Sequence, residues 1–165
     1  MLPELAEEMG VGKIYIKDES HRFGLNAFKG LGASYAIHKM LEKNLNIETF
    51  CTATDGNHGR AVAWSANMLG KSARIFVPKD TTYYRIEAIE LEGAIVEKFN
   101  GNYEETCAYA KIMAEEMGWK LVDNANAEDY DDIPSLISAR IYHHFKEPED
   151  SIAFASKSAV DTVFL

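Results

Sequence analysis

Short β-rich apolar runs alternate along this chain with longer stretches whose apolar residues recur at helical spacing. Lys13 to Lys17 (KIYIK) predicts a strand, and Ala27 to Leu41 a helix. Glu48 to Ala53 predicts a second strand, followed by a helix over Asn57 to Leu69 that Gly70 closes. Ala73 to Val77 predicts a strand ended by Pro78, and Thr82 to Leu91 a helix stopped near Gly93. Ala94 to Glu97 then predicts a strand, Tyr103 to Met117 a helix before Gly118, and Lys120 to Val122 a short strand. Ile133 to Phe145 predicts a further helix, and the apolar, β-branched stretch Asp161 to Leu165 a buried strand. Asp123 to Asp132 reads as an acidic, Asn-rich loop and Lys146 to Asp150 as a charged linker. Strands alternating with helices imply βαβ units: an α/β fold with a parallel sheet covered by helices on both faces.

Ligands of such sheets bind at the carboxyl ends of the strands, in loops that lead into helices. Two loops there carry unusual chemistry. The first is SHRFGLNAFKG, Ser20 to Gly30; the second is TATDGNHGR, Thr52 to Arg60. In the second, glycines allow close backbone approach and the helix start supplies free N–H donors. The same residues also suit a plain helix start, with Asp55 or Asn57 as the cap. In the first loop, Lys29 lies among Ala27, Phe28 and Leu31. A lysine on a helix is usually a solvated charge. Held in an apolar pocket it loses stability as an ammonium, and the freed amine can form a Schiff base.

Composition narrows the partners. The 165 residues carry 17 Lys and Arg against 26 Asp and Glu, a formal net charge of −9. That argues against nucleic acid and anionic membranes, which reward basic surfaces. No apolar run reaches the length of a membrane span, and the N-terminus lacks the basic start and apolar run of a secretory signal. Cys51 and Cys107 have neither metal-ligand spacing nor a disulfide pattern, so a reducing cytoplasm is expected and both read as buried thiols. His143 and His144 read as a solvated pair rather than metal ligands, since no cysteine or carboxylate stands at ligand spacing. Trp64 and Trp119 read as core or subdomain-interface residues; His21 and Arg22 either contact a substrate carboxylate or anchor their loop.

The two loops together, KDES-x-RFG-x-NAFK-x-LG-x-SYA and TATDGNHGR-x-VAW, resemble the fold type II pyridoxal-phosphate enzymes. These have the tryptophan synthase β-like fold. The forms RFGLNAFKG and TDGNHGRAVAW are similar, more particularly, to the diaminopropionate ammonia-lyases, over roughly Leu5 to Ile137. The resemblance implies pyridoxal 5′-phosphate as cofactor and the elimination of 2,3-diaminopropionate to pyruvate and ammonia. Lys29 would carry the cofactor as a Schiff base and shuttle the Cα proton. Asn57 would bind the cofactor's phenolic oxygen, and Asp55 would act as an acid/base at the substrate. Phe28, Gly56, His58 and Gly59 would shape the cofactor's surroundings. The family has a second aspartate ahead of a tyrosine in a segment ending in IP. Here that segment is VDNANAEDYDDIP; counting back from Tyr130 lands on Asn124, and a slip of one residue gives Asp123, the candidate taken.

The resemblance further implies three parts: residues 1–45 as the lysine-loop segment of a larger cofactor domain, 46–125 as a small α/β subdomain, and 126–165 as an incomplete return to the larger domain. Thr162 to Leu165 resembles the strand that enters the family's glycine-rich phosphate loop, so the sequence is expected to be an N-terminal fragment, truncated before that loop. Alone it is expected to bind cofactor weakly, release no ammonia and self-associate. The expected partners are a small amino-acid substrate and, as in the family, a second copy in a homodimer. Two alternatives stay open: another lyase of the same fold, such as a serine or threonine dehydratase, and a non-catalytic interaction module. Asp55 separates the first, because simple dehydratases resemble the pattern with a small residue before GNHG.

Overall fold

The computed structural model describes residues 3–14 and 21–123. A short helix α1 (Pro3–Met9) precedes the lysine loop, which contains a single 3-10 turn at Arg22–Gly24. The rest is α2 (Lys29–Lys43), β1 (Thr49–Ala53), α3 (Asn57–Met68), β2 (Ser72–Pro78), α4 (Tyr83–Glu90), β3 (Ile95–Phe99), α5 (Tyr103–Met117) and β4 (Lys120–Leu121). The strands form one parallel sheet in the order β3-β2-β1-β4. The strands expected over Lys13–Lys17 and Asp161–Leu165 and the helix over Ile133–Phe145 lie partly or wholly outside the described residues.

The period of two along the strands sorts their side chains onto two faces. Phe50, Ala73, Ile75 and Val77 point to one face and pack with Ala33, Ile37, Val62, Ala66 and Ile89 of α2, α3 and α4. Cys51, Ala53 and Phe76 point to the other and pack with Ala110 and Ala114 of α5. Both faces of the sheet are thus covered, as an all-parallel sheet requires. Phe76 also meets Tyr109 edge-on, at 5.3 Å between ring centres.

Helix α5 shows why its limits were readable. Asn102 Oδ1 accepts from the Glu105 N–H at 2.9 Å while Glu105 Oε2 accepts from the Asn102 N–H at 2.8 Å. This reciprocal cap starts the helix, and Gly118, at φ 68°, ends it in the left-handed region. The helix expected to start at Ala27 begins instead at Lys29, because Asn26 turns the chain through φ 54° just before it.

Candidate active site

The carboxyl end of β1 turns into α3 through Thr54, Asp55 and Gly56. Neither Asp55 nor Asn57 caps this helix: the N-cap residue is Gly56, with no side-chain cap bond. The buried Thr54 hydroxyl takes that role, accepting from the Gly56 N–H at 3.0 Å and the Gly59 N–H at 3.1 Å. Thr54 was not among the expected site residues. Its signal is a hydroxyl residue directly ahead of Asp-Gly at a strand end. With the cap supplied by Thr54, the side chains of Asp55 and Asn57 are left exposed at the rim. Arg85 of α4 holds the turn from outside, donating from Nη1 to the Asp55 carbonyl at 2.9 Å.

The lysine loop is pressed onto the same corner. Arg60 of α3 donates to the Leu25 carbonyl at 3.0 Å and clasps Glu92 Oε1 through two nitrogens, at 2.9 and 2.7 Å. Phe23, inside the loop, sits at φ 53°, ψ 14°, where a bulky side chain is strained. Stacking on Trp64, with ring centres 4.9 Å apart, holds it there. Gly30 completes the fit: a Cβ there would stand 3.0 Å from both Leu25 Cδ1 and Phe23 Cδ2. Lys29, half-buried at the first position of α2, places Nζ 5.5 Å from the centre of the Phe28 ring.

His58, in the first turn of α3, is buried. Its Nε2 donates to the Val122 carbonyl at 2.9 Å, because a carbonyl can only accept. Just before that carbonyl, the Val122 N–H donates to the Cys51 carbonyl at 2.8 Å, fixing the end of β4 beside β1. Burial pushes the His58 pKa down, and the charge of Lys29 pushes the same way; the Val122 bond and the charge of Asp123 oppose them. The balance disfavours the charged ring. Tyr103, at the start of α5, is pushed up to about 12, first by burial, then by Cys107, and further by Asp123 and Asp55. Burial also raises Cys51 to about 12 and raises Cys107, so neither is a thiolate nucleophile. Lys29, His58 and Asp123 are thus electrostatic neighbours, and Asp123 shares Tyr103 with Asp55.

Sequences of the family described as pyridoxal-phosphate dependent enzymes match residues 1–156. The chain belongs to this family. Among its relatives, the diaminopropionate ammonia-lyase of Escherichia coli is 44% identical over 153 residues, covering 82% of this chain and 38% of that protein. The crystal structure of the Escherichia coli diaminopropionate ammonia-lyase in complex with an aminoacrylate-PLP azomethine reaction intermediate superposes with a TM-score of 0.87 at 38% identity. It covers 94% of this chain and 43% of that one. A biosynthetic threonine dehydratase of Arabidopsis thaliana is 36% identical over 115 residues, 70% of this chain and 19% of its own. The chain thus spans about two fifths of the length of the ammonia-lyases it matches. The parallel sheet with helices on both faces is the α/β fold of these pyridoxal-phosphate enzymes.

The residues present suit such a cofactor. Among the described residues, the Lys29 amine has no hydrogen-bond acceptor and the Asn57 side chain no partner. His58 Nδ1 is buried and also without one. An amine at the start of α2 and an amide at the N-terminus of α3 are groups that suit an aldehyde and a phenolic oxygen. No helix of the described residues is long and apolar enough to cross a membrane.

Proposed function

We propose that this chain forms the lysine-loop portion of an enzyme that eliminates ammonia from 2,3-diaminopropionate. One water is consumed, and pyruvate and two ammonia molecules are released. The observation that carries the reading is the Asp55-Gly56-Asn57-His58-Gly59 loop at the carboxyl end of β1, tied to the lysine loop by Arg60 and with Lys29 and Asp123 both acting on the His58 ring.

Lys29 would hold pyridoxal phosphate, Asn57 would bind its phenolic oxygen, and Phe28, Gly56, His58 and Gly59 would surround it. When bound to the substrate amine, the cofactor supplies an electron sink that acidifies the Cα proton. The Lys29 amine, half-buried at the first position of α2, would take that proton. The substrate's second amine is cationic near neutral pH. Asp55, exposed at the rim, and Asp123, half-buried at the end of β4, offer it carboxylates. One of them keeps that nitrogen protonated so that it departs as ammonia.

Residues 1–45 would belong to a larger cofactor domain and 46–125 would form the small subdomain; the return expected over 126–165 lies outside the described residues. The reading places the enzyme in the cytoplasm, supported by two cysteines that are both free thiols. It has a small amino acid as substrate and a homodimer as its assembly.

The test uses the chain alone and complemented with the C-terminal part of a full-length relative. After exposure to pyridoxal phosphate and borohydride, mass spectrometry should find the label on Lys29. The 2-oxo acid should form faster from 2,3-diaminopropionate, as pyruvate, than from serine, as pyruvate, or from threonine, as 2-oxobutyrate. A label on another lysine, or a preference for threonine, overturns the reading; the latter would make the protein a dehydratase of the same fold.

A further inference from the structure

His58 and Lys29 carry complementary deficits. A buried acceptor without a donor is costly, so such a group in a folded protein asks for a partner. His58 Nδ1 is such a group. The bond from Nε2 to the Val122 carbonyl fixes the proton on Nε2 and leaves Nδ1 as a lone pair. Two charged groups act on this ring: Lys29 and Asp123. An ionised Asp123 can only accept, and so can the Val122 carbonyl. Lys29 is the one that can donate, and its Nζ has no acceptor of its own among the described residues, only the face of Phe28. The N-termini of α2 and α3, where the two residues sit, are tied together by Arg60 through the Leu25 carbonyl.

We propose that His58 is a positioning residue for Lys29, its Nδ1 lone pair accepting a hydrogen bond from Nζ and setting where that amine waits while it is not bonded to a carbonyl. This rests on the reading of Lys29 as the cofactor lysine. It adds to that reading a fixed resting place for the amine. The Val122 carbonyl then acts at one remove. By choosing the tautomer, the end of β4 decides whether Nδ1 is open to Lys29.

The test is nitrogen NMR of His58 in the full chain, with no cofactor added. The expected spectrum shows a protonated Nε2 and a pyridine-type Nδ1 shifted upfield by hydrogen bonding. In Lys29→Met, Nδ1 should move downfield to the position of a free lone pair; in Lys29→Arg, which keeps a donor, it should stay upfield. A proton on Nδ1, or an Nδ1 resonance identical in wild type and Lys29→Met, overturns the proposal. If Lys29→Met does not fold, the wild-type spectrum still decides, because a free-lone-pair Nδ1 there refutes the bond. Borohydride mapping keeps the two ideas apart. A label on Lys29 with an unresponsive Nδ1 sinks the proposal and leaves the enzyme reading standing. A label elsewhere with a responsive Nδ1 sinks the enzyme reading and leaves the hydrogen bond.

Discussion

Thr54 occupies the space that a side chain on residue 59 would need: a Cβ at Gly59 would overlap Thr54 Cγ2 and lie 2.9 Å from Ile75 Cγ2. The same threonine caps α3 through its hydroxyl, so Thr54 and Gly59 are one fitted unit. Gly59→Ala should therefore destabilise the fold by about 1–3 kcal/mol, the usual cost of overpacking a filled core. Adding Thr54→Ser removes the offending methyl and keeps the cap, so it should recover part of the loss. Urea unfolding of the two single variants and the double variant checks this. A double variant as unstable as the sum of the singles would show that the clash is not with Thr54.

Arg60 joins the two loops that the site needs. Arg60→Met keeps the side chain's stem but strands the Glu92 carboxylate and the Leu25 carbonyl, which it now satisfies. A loss of about 1–3 kcal/mol is expected for such charged hydrogen bonds. Amide hydrogen exchange should accelerate from Leu25 to Gly30 more than in the sheet. Equal acceleration everywhere would mean that Arg60 serves global stability and does not hold the lysine loop.

Much of the fold was legible because the subdomain obeys local rules. Helix α5 begins at a reciprocal Asn102–Glu105 cap and ends at Gly118, and the strands β1 and β2 are apolar runs bounded by turn residues. Asp55, Asn57 and His58 also stood out as an unusual loop composition at a strand end, whereas Lys29 and Asp123 were picked out by the family resemblance; in the structure both of these act on the His58 ring. The Arg60–Glu92 clasp did not stand out, because its partners are 32 residues apart and only the packing of α3 selects Glu92 among many acids. The strain at Phe23 was equally hidden, since its cause is a stack on Trp64 from another helix. Asp55 and Asn57 both have cap chemistry; only the geometry shows that Thr54 does the capping.

The buried His58 gives the stability a pH dependence of defined sign. Its folded pKa is lowered from 6.5, chiefly by burial and then by the charge of Lys29. Above pH 6.5 the ring is neutral in both folded and unfolded chains and costs nothing. Below it the unfolded chain takes up a proton that the folded one resists, so stability falls as the pH drops through this window. Each unit of depression corresponds to about 1.4 kcal/mol. Thermal melts at pH 8 and pH 5.5 should show a larger acid loss for wild type than for His58→Gln, which can still donate to Val122. Parallel losses in the two proteins would assign the acid sensitivity to other groups.

Asp55 and Asp123 compete for the role of acid at the departing amine, and the structure makes a clean substitution possible at Asp55. Its side chain caps nothing, and the contact that holds the turn, from Arg85, is to its backbone carbonyl. Asp55→Asn should therefore leave the loop, the stability and the borohydride labelling of Lys29 unchanged. If Asp55 handles the proton of the departing amine, pyruvate formation from 2,3-diaminopropionate in the loaded enzyme should fall by about 10²-fold or more, the usual contribution of a positioned acid or base. Asp123→Asn is the companion measurement. Asp123 acts on both His58 and Tyr103, so its loss should also move the His58 nitrogen resonances, which Asp55→Asn should not. Near-normal elimination by Asp55→Asn together with a collapse in Asp123→Asn would hand the role to Asp123. Asp55 would then serve only to draw a cationic substrate to the rim.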